Sequence, residues 1–592
     1  MLIRTLLILV ASASLAQAQT KPNILIILTD DQGWGDLSIS GNANLKTPQI
    51  DSLARDGATL ESFYVCQVCA PTRAEFLTGR YYPRTGVSGV TRGEGRLNPD
   101  EKTIADMFKE EGYATGAFGK WHNGTQPPYH PNNRGFDEYY GFTSGHWSHY
   151  FDVPMDHNGE RVRGRGFIVD DITEKAVAFI KQEATAGKPF FCYVPYNTPH
   201  SPMMVPNRWF QKFEDFQPIM HHRDHEREDL AMTRSALALC ENIDWNVGRL
   251  LNALETSGVA KNTIVVFFSD NGPNSYRWNA DMKGRKGAID EGGLRSPFFI
   301  RWPDRIAPGI RIPQIAGAID LVPTLTNLAG IPLAPAPDKP LDGQNLRPLL
   351  IPKSGDNTWT DRELFSIKGD QVSIRTQRFR FDAEGQLFDI SSDPGQRKDV
   401  SKDHPSTTKR LTNLAKRHSE EMRSAFKENT DRPFTVGYGR ITQLPVRDAI
   451  AQGEIQRSSK APNNSFLHGW TNPEDSITWD IDVGAGGEYE AILYYTCSPE
   501  NVGCELDLTF EGGGELRATV SKAFDPPLYD KNEERVENSH YFMKDFAPMT
   551  LGTISLGKGR GLLKLAAGKM PGKEMIDVHS LILTQLVASK KQ

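Results

Sequence analysis

The chain has 592 residues, too long for one hydrophobic core, and the usual domain size of ~150 residues divides it into about two to four units. Its 68 Lys plus Arg against 74 Asp plus Glu give a net charge of −6, which argues against a general nucleic-acid binder. The six cysteines, at 66, 69, 192, 240, 497 and 504, are too sparse to scaffold so large a chain through disulfides. Cys497 and Cys504 could close one small loop; Cys192 and Cys240 fall in apolar segments and read as buried thiols.

Met1 to Thr20 carries Arg4, the apolar run Leu6 to Ala11 and then Ala16-Gln17-Ala18, the three-part pattern of a cleaved export signal at 1–18. That run is far short of the ~20 residues needed to cross a bilayer. The expectation is a protein exported to the periplasm or secreted, with no membrane span. Asn23 to Thr29, NILIILT, then reads as a strand buried on both faces within a parallel sheet, and it delivers Asp30 and Asp31 at its carboxyl end. Further on stands Cys69-Ala-Pro71-Thr-Arg73, followed by Leu77-Thr-Gly-Arg80. If a helix opens here, Arg73 shares a face with Cys69, and the helix start favours anions. A redox or zinc role for Cys66-x-x-Cys69 is weak, since zinc needs two further ligands and none lies nearby.

Helix-like segments follow at 103–111, 171–183 and 229–256, the last with Leu237, Ile243, Val247, Leu250 and Leu254 near a 3.6-residue period. Between them stand Gly119-Lys120-Trp121-His122, a loop with His146, Trp147, His149 and Tyr150, and the apolar run Pro189 to Pro195, which leads to Asn197-Thr-Pro-His200. A third apolar run, Thr263 to Ser269, ends in Asp270-Asn271-Gly272, and after it come Arg277, Trp278, Lys286 and Glu291. Strand and helix in alternation imply an α/β domain, in which ligands bind outside the carboxyl ends of the strands. Either Asp-rich strand end alone would be an ordinary turn. Two of them, with His200 at a third, mark a site.

From Arg362 the pattern becomes antiparallel, with alternation over Ser373 to Phe381 and a helix over Ser406 to Phe426. Residues 433–462 carry little apolar periodicity and read as a linker. After them, Ser476 to Val483, Tyr489 to Thr496 and Glu505 to Phe510 read as strands of a β-sandwich, loosely similar to jelly-roll modules found beside carbohydrate-active enzymes. The expected units are 19–345, 346–432 and 463–592.

Cys69-x-Pro71-x-Arg73, with Lys120-Trp-His122, Asn197-Thr-Pro-His200, Asp270-Asn271-Gly272 and Lys283-Gly-Arg-Lys286 in matching order, resembles the type I sulfatases from residue 23 to about 430. The resemblance implies an alkaline-phosphatase-like α/β sandwich with a large, mostly parallel mixed sheet and a small antiparallel C-terminal subdomain. The all-β sandwich is an addition to it. It also implies that a maturation enzyme converts Cys69 to Cα-formylglycine, whose hydrate attacks sulfur. One Ca²⁺, with Mg²⁺ as the alternative, would sit among Asp30, Asp31, Asp270, Asn271 and the converted Cys69; hard oxygen donors suit either ion.

By the same resemblance Arg73 steadies the hydrate and Lys120 and Lys286 bind sulfate oxygens. His200, with Lys286, protonates the departing alcohol, and His122 strips the remaining hydroxyl so that sulfate leaves. Substrate selection falls to His146, Trp147, His149, Tyr150, Arg277 and Trp278, aromatic faces and cations that favour a sulfated carbohydrate. Two rivals stand beside this reading. A phosphate or phosphonate ester hydrolase of the same superfamily is opposed by the Lys120 and Lys286 blocks, and a glycan-binding protein on a retired scaffold by intact Cys69, Arg73, His122 and His200.

Overall fold

The computed structural model describes residues 21–333, 339–352, 359–427, 431–529, 533–537 and 542–586, so the export signal expected at 1–18 lies outside the described residues. Among these residues no helix is long and apolar enough to cross a membrane.

Eleven strands form the large sheet: β1 (Asn23–Thr29), β2 (Ala58–Tyr64), β3 (Ala114–Lys120), β4 (Glu138–Phe142), β5 (Pro154–His157), β6 (Glu160–Arg163), β7 (Phe190–Pro195), β8 (Thr263–Ser269), β9 (Arg295–Ser296), β10 (Phe298–Arg301) and β11 (Ile310–Gly317). Their order is β11-β2-β10-β8-β1-β7-β3-β4-β5-β6, with β9 beside β2. The central run from β8 to β4 is parallel throughout. Its strands are apolar on both faces because helices cover both: Leu25 and Ile27 of β1 enter one core with the Ile168–Thr185 and Leu230–Thr256 helices, and Ile24, Ile26 and Leu28 enter the other.

A four-stranded antiparallel sheet, Leu364–Lys368, Gln371–Arg375, Phe379–Phe381 and Leu387–Asp389, packs Ile374, Phe381 and Leu387 against Leu411 of the Pro405–Lys427 helix. The alternating run 373–381 is thus two strands. Thr376 N–H bonds the Phe379 carbonyl and closes a hairpin inside it.

The remaining strands make a sandwich of two six-stranded sheets around Trp479, Tyr489, Leu493, Leu508, Leu565 and Leu581. The linker expected at 433–462 is absent, because that segment is woven into both sheets. Phe434–Val436 and Ile450–Gln452 flank Ser476–Val483, Ile441–Pro445 pairs with Asp577–Gln585, and Gln456–Arg457 pairs with Leu467–His468. These strands are two to five residues long, too short for a period to show, yet they deliver Val436 and Leu444 to the core, and Ile455 joins it from the turn between two of them. Nor do Cys497 and Cys504 close a loop: both are buried free thiols, with Cys497 Sγ on the Ser498 carbonyl and Cys504 Sγ on the Asn501 carbonyl.

Candidate active site

Because β1 pairs in parallel with both β7 and β8, in the register Leu28 to Pro195 and Thr29 to Ser269, three strand ends open at one edge. Asp30 N–H bonds the Thr198 carbonyl and Asp270 N–H the Thr29 carbonyl, locking Asp30-Asp31, Asp270-Asn271 and the His200 loop together. Across this edge lies the Cys69–Thr78 helix, all ten residues of it buried, with Cys69 as its first residue. Pro71 is tolerated in the first turn, where its missing N–H has no intrahelical partner to lose. The Thr72 hydroxyl donates to the Asp270 carbonyl at 2.5 Å and clamps the helix to the strand end. Asp31 and His122 both have φ of +67°, a left-handed conformation that costs a branched or bulky side chain about 1 to 3 kcal/mol and gathers at functional sites.

Three buried carboxylates here meet three cations. Lys120 Nζ lies 2.7 Å from Asp30 Oδ2, Lys286 Nζ 2.6 Å from Asp31 Oδ1, and Arg73 Nη2 2.8 Å from Asp270 Oδ2. Arg73 also donates to the Lys120 carbonyl at 2.7 Å, which ties the helix to the end of β3. Burial and the neighbouring Asp30 push the Asp270 carboxyl up to about 6. Burial would raise Asp31 too, but His200, Lys286 and the Asn271 amide outweigh it and hold it well below the usual carboxylate range. The Cys69 thiol is raised by burial, with Lys120 and Lys286 opposing.

Burial and then Lys120 drive the His122 imidazole well below its ordinary value, and its Nε2 sits 2.9 Å from the Val90 carbonyl. That acceptor fixes the Nε2–H tautomer and leaves Nδ1 as the basic atom. His200 is its mirror image: Nδ1 lies 2.7 Å from the Ser201 carbonyl, while Nε2 lies 3.6 Å from Asp31 Oδ2. Burial, with Lys286 and Lys120 adding to it and Asp31 opposing, pushes His200 down to about 3.

Donor atoms of Asp30, Cys69 and Asp270 lie within 4.8 Å of one another. Asp30 Oδ1 and Asn271 Oδ1 are buried without a hydrogen-bond partner. Orphaned hard oxygens around a cluster of acids fit a divalent cation of the Ca²⁺ or Mg²⁺ kind. Adding such an ion to a balanced set of three acids and three bases leaves a surplus of two positive charges. The pocket is then ready for an anion.

The expected substrate-selecting residues separate into two groups. His146 is buried and stacks on His200, with centroids 5.8 Å apart and planes 10° apart, and the Tyr150 hydroxyl bonds the His200 carbonyl at 2.8 Å. Arg277 does not fit the role expected of it. It is buried, and its five N–H donors are engaged by Asp36, the Asp31 carbonyl, Asn274 and Ser275, so it braces the acid loop and has no donor left for a ligand. Trp147 stacks on Phe142 beside a cavity of about 50 Å³ between the α/β domain and the sandwich, His149 packs on Tyr529, and Trp278 is half-buried.

Sequence reading missed Asp36 and Thr72, whose only sequence signal is nearness to Asp31 and Cys69, and the role of Glu291. That carboxylate accepts from Tyr64 at 2.6 Å and from Arg380 Nε at 2.9 Å, holding the small sheet to the large one. Burial works against its ionisation, but Arg380 and Arg375 bring it down to about 2.

An acid cluster poised for a cation, two lysines and two neutral imidazoles at the strand ends of this α/β fold define a hydrolase of anionic esters. Comparison with known proteins narrows the class. The Sulfatase family profile matches residues 22–331. The chain is 32% identical to N-acetylgalactosamine-6-sulfatase of Canis lupus familiaris, over 63% of this chain and 73% of that protein, and 31% identical to arylsulfatase A of Bos taurus, over 66% and 80%. Among solved structures it is similar to Ps i-CgsB in complex with k-i-k-neocarrahexaose, with a TM-score of 0.61 and 31% identity over 67% of this chain and 93% of that one. The chain belongs to the type I sulfatase family and is a sulfuric ester hydrolase.

Proposed function

We propose that this enzyme removes sulfate from a sulfated carbohydrate, with Cys69 converted to Cα-formylglycine by a maturation enzyme and one Ca²⁺ held by Asp30, Asp31, Asp270, Asn271 and residue 69. The observation that carries the reading is the convergence of Cys69 with Asp30 and Asp270 beside Lys120 and Lys286. A thiol whose pKa burial has raised is a poor nucleophile, so the encoded side chain does not suit the chemistry its surroundings are built for. A formylglycine hydrate would supply an oxygen nucleophile there, and a bound Ca²⁺ would supply Lewis-acid stabilisation of oxygens gaining charge. The carbohydrate assignment draws on the named substrate of the mammalian relative and the neocarrahexaose of the similar complex. Export to the periplasm or outside accords with a polymeric substrate that does not enter cells.

The residues of the chain divide the remaining work. Lys120 and Lys286 neutralise Asp30 and Asp31; with those acids holding a cation, the two ammonium groups would be available to bind the sulfate oxygens. Arg73 holds Asp270 in place. His122, neutral and with Nδ1 free of hydrogen bonds, takes a proton, and its Nε2–H is pinned by Val90. His200 gives a proton from Nε2 to the departing alkoxide, its ring fixed by Ser201. Burial leads the depression of His200 and the two lysines add to it, so a sulfate bound between them would offset their share and favour the charged imidazolium that donates from Nε2.

The test is sulfate release by protein made together with a formylglycine-generating enzyme, against sulfated galactan, fucan and glycosaminoglycan oligosaccharides and an aryl sulfate. Release from at least one sulfated oligosaccharide, lost in Cys69→Ala, is expected. Turnover of aryl phosphates or phosphonates in preference to every sulfate would reject the proposal.

A further inference from the structure

The sandwich reaches the catalytic edge at two separate points. Its residues 463–464 meet the loop that carries His146: Ser148 Oγ donates to the Asn464 carbonyl at 2.6 Å. Gly145 is wedged so tightly that a Cβ there would lie 2.5 Å from Asn463 Nδ2 and 2.6 Å from His122 Nε2. Its residues 533–535 meet the loop that follows His200. Met204 pairs with Glu534 in an antiparallel bridge, and Val205 N–H donates to the Glu533 carbonyl at 3.0 Å. Arg535 donates through Nε and Nη2 to the Val205 carbonyl, at 3.2 and 2.9 Å, bonds Asn207 and lies 4.5 Å above the Phe210 ring.

Within the α/β domain the same two loops are joined by Tyr150, which bonds the carbonyls of His200 and Ser201, and by the His146–His200 stack. Tyr529 of the sandwich packs on His149 in the first loop, 4.7 Å between centroids. Each histidine-bearing loop is therefore clasped on its outer side by the sandwich and coupled to the other on its inner side.

We infer that the β-sandwich is a positioning element of the catalytic centre, holding the His146 and His200 loops in register so that His200 Nε2 is aimed at the leaving group. The inference rests on His200 being the acid of the proposed mechanism. Arg535 and Ser148 act through His200 and are positioning residues, and the sandwich is part of the active-site architecture, not a tethered accessory.

Misplacement of a proton donor is felt in proportion to how much the leaving group needs the proton. Arg535→Ala and Ser148→Ala, each in the full chain with formylglycine content matched by mass analysis, are compared on a sugar sulfate and on a nitrophenyl sulfate. The expected result is a loss of about tenfold or more in kcat/KM on the sugar ester. On the nitrophenyl ester the loss should stay within about twofold, with Arg535→Lys recovering part of it. His200→Ala, run alongside, should show the same selectivity more strongly. Equal losses on both esters, or none on either, for Arg535→Ala and Ser148→Ala while His200→Ala remains selective would overturn the positioning role. Lack of selectivity in His200→Ala itself would instead remove the acid assignment, and this inference with it.

Discussion

Arg73→Met puts the electrostatic balance of the site to a quantitative test. The wild-type guanidinium and the Asp270 carboxylate are both fully buried, 2.8 Å apart. Deleting one partner of such a pair costs about 3 to 5 kcal/mol, because the other is left charged in a medium that solvates it poorly. Asp270 already sits at about 6 beside Asp30, and losing Arg73 moves it higher. An acid with a raised folded pKa holds its proton in the native state after the unfolded chain has released it. The stability deficit of the variant should therefore grow as pH rises and shrink as Asp270 protonates. At about 1.4 kcal/mol per pH unit, the loss in urea unfolding of EDTA-treated protein should be about 3 to 5 kcal/mol at pH ~8 and at least ~1 kcal/mol smaller at pH ~5. A loss under ~1 kcal/mol, or one equal at both pH values, would refute the reasoning that Asp270 depends on Arg73 for charge compensation.

Other consequences are independent of that pair. Burial holds Glu75 protonated up to about 8, against an ordinary 4.5, so the native state loses stability as pH climbs through that window. Glu75→Gln should flatten the pH dependence of unfolding between those limits. Ca²⁺ should raise the melting temperature of EDTA-treated protein, by an increment equivalent to about 2.7 kcal/mol at a hundredfold excess over Kd. Asp31→Asn or Asn271→Ala should shrink that increment in a thermal melt, and an unchanged increment would place the ion elsewhere. Glu291→Gln leaves Arg380 buried without its carboxylate. It should cost about 3 kcal/mol or more and expose the 364–389 sheet to limited proteolysis before the large sheet unfolds.

How far sequence carried this account depended on the length and regularity of each element. β1 and β8 were legible to the residue, since a strand covered on both faces must be apolar throughout and the acids after it cannot join the core. Ser476–Val483 and Glu505–Phe510 in the sandwich were legible for a different reason, the alternation of core-facing and outward-facing residues. Strands of two to five residues were not, because those within 434–457 contribute at most one fully buried core side chain each and no period develops. Arg277 was misread for a related reason: a charged side chain in a loop gives no sign of whether solvent or Asp36 receives it, and the Asp36 partner lies 241 positions away in the chain. The contacts between the sandwich and the histidine loops were likewise invisible, since most run through backbone carbonyls that any residue could supply.

The central claim is that the thiol encoded at position 69 is not the group that acts. Mass analysis of the tryptic peptide spanning Asp56 to Arg73, from protein made with its maturation enzyme, measures this directly. The account predicts a peptide lighter by the exchange of a thiol methylene for an aldehyde at residue 69, with Cys66 intact, and sulfatase activity proportional to the converted fraction. Full activity in protein whose Cys69 remains a thiol would contradict it.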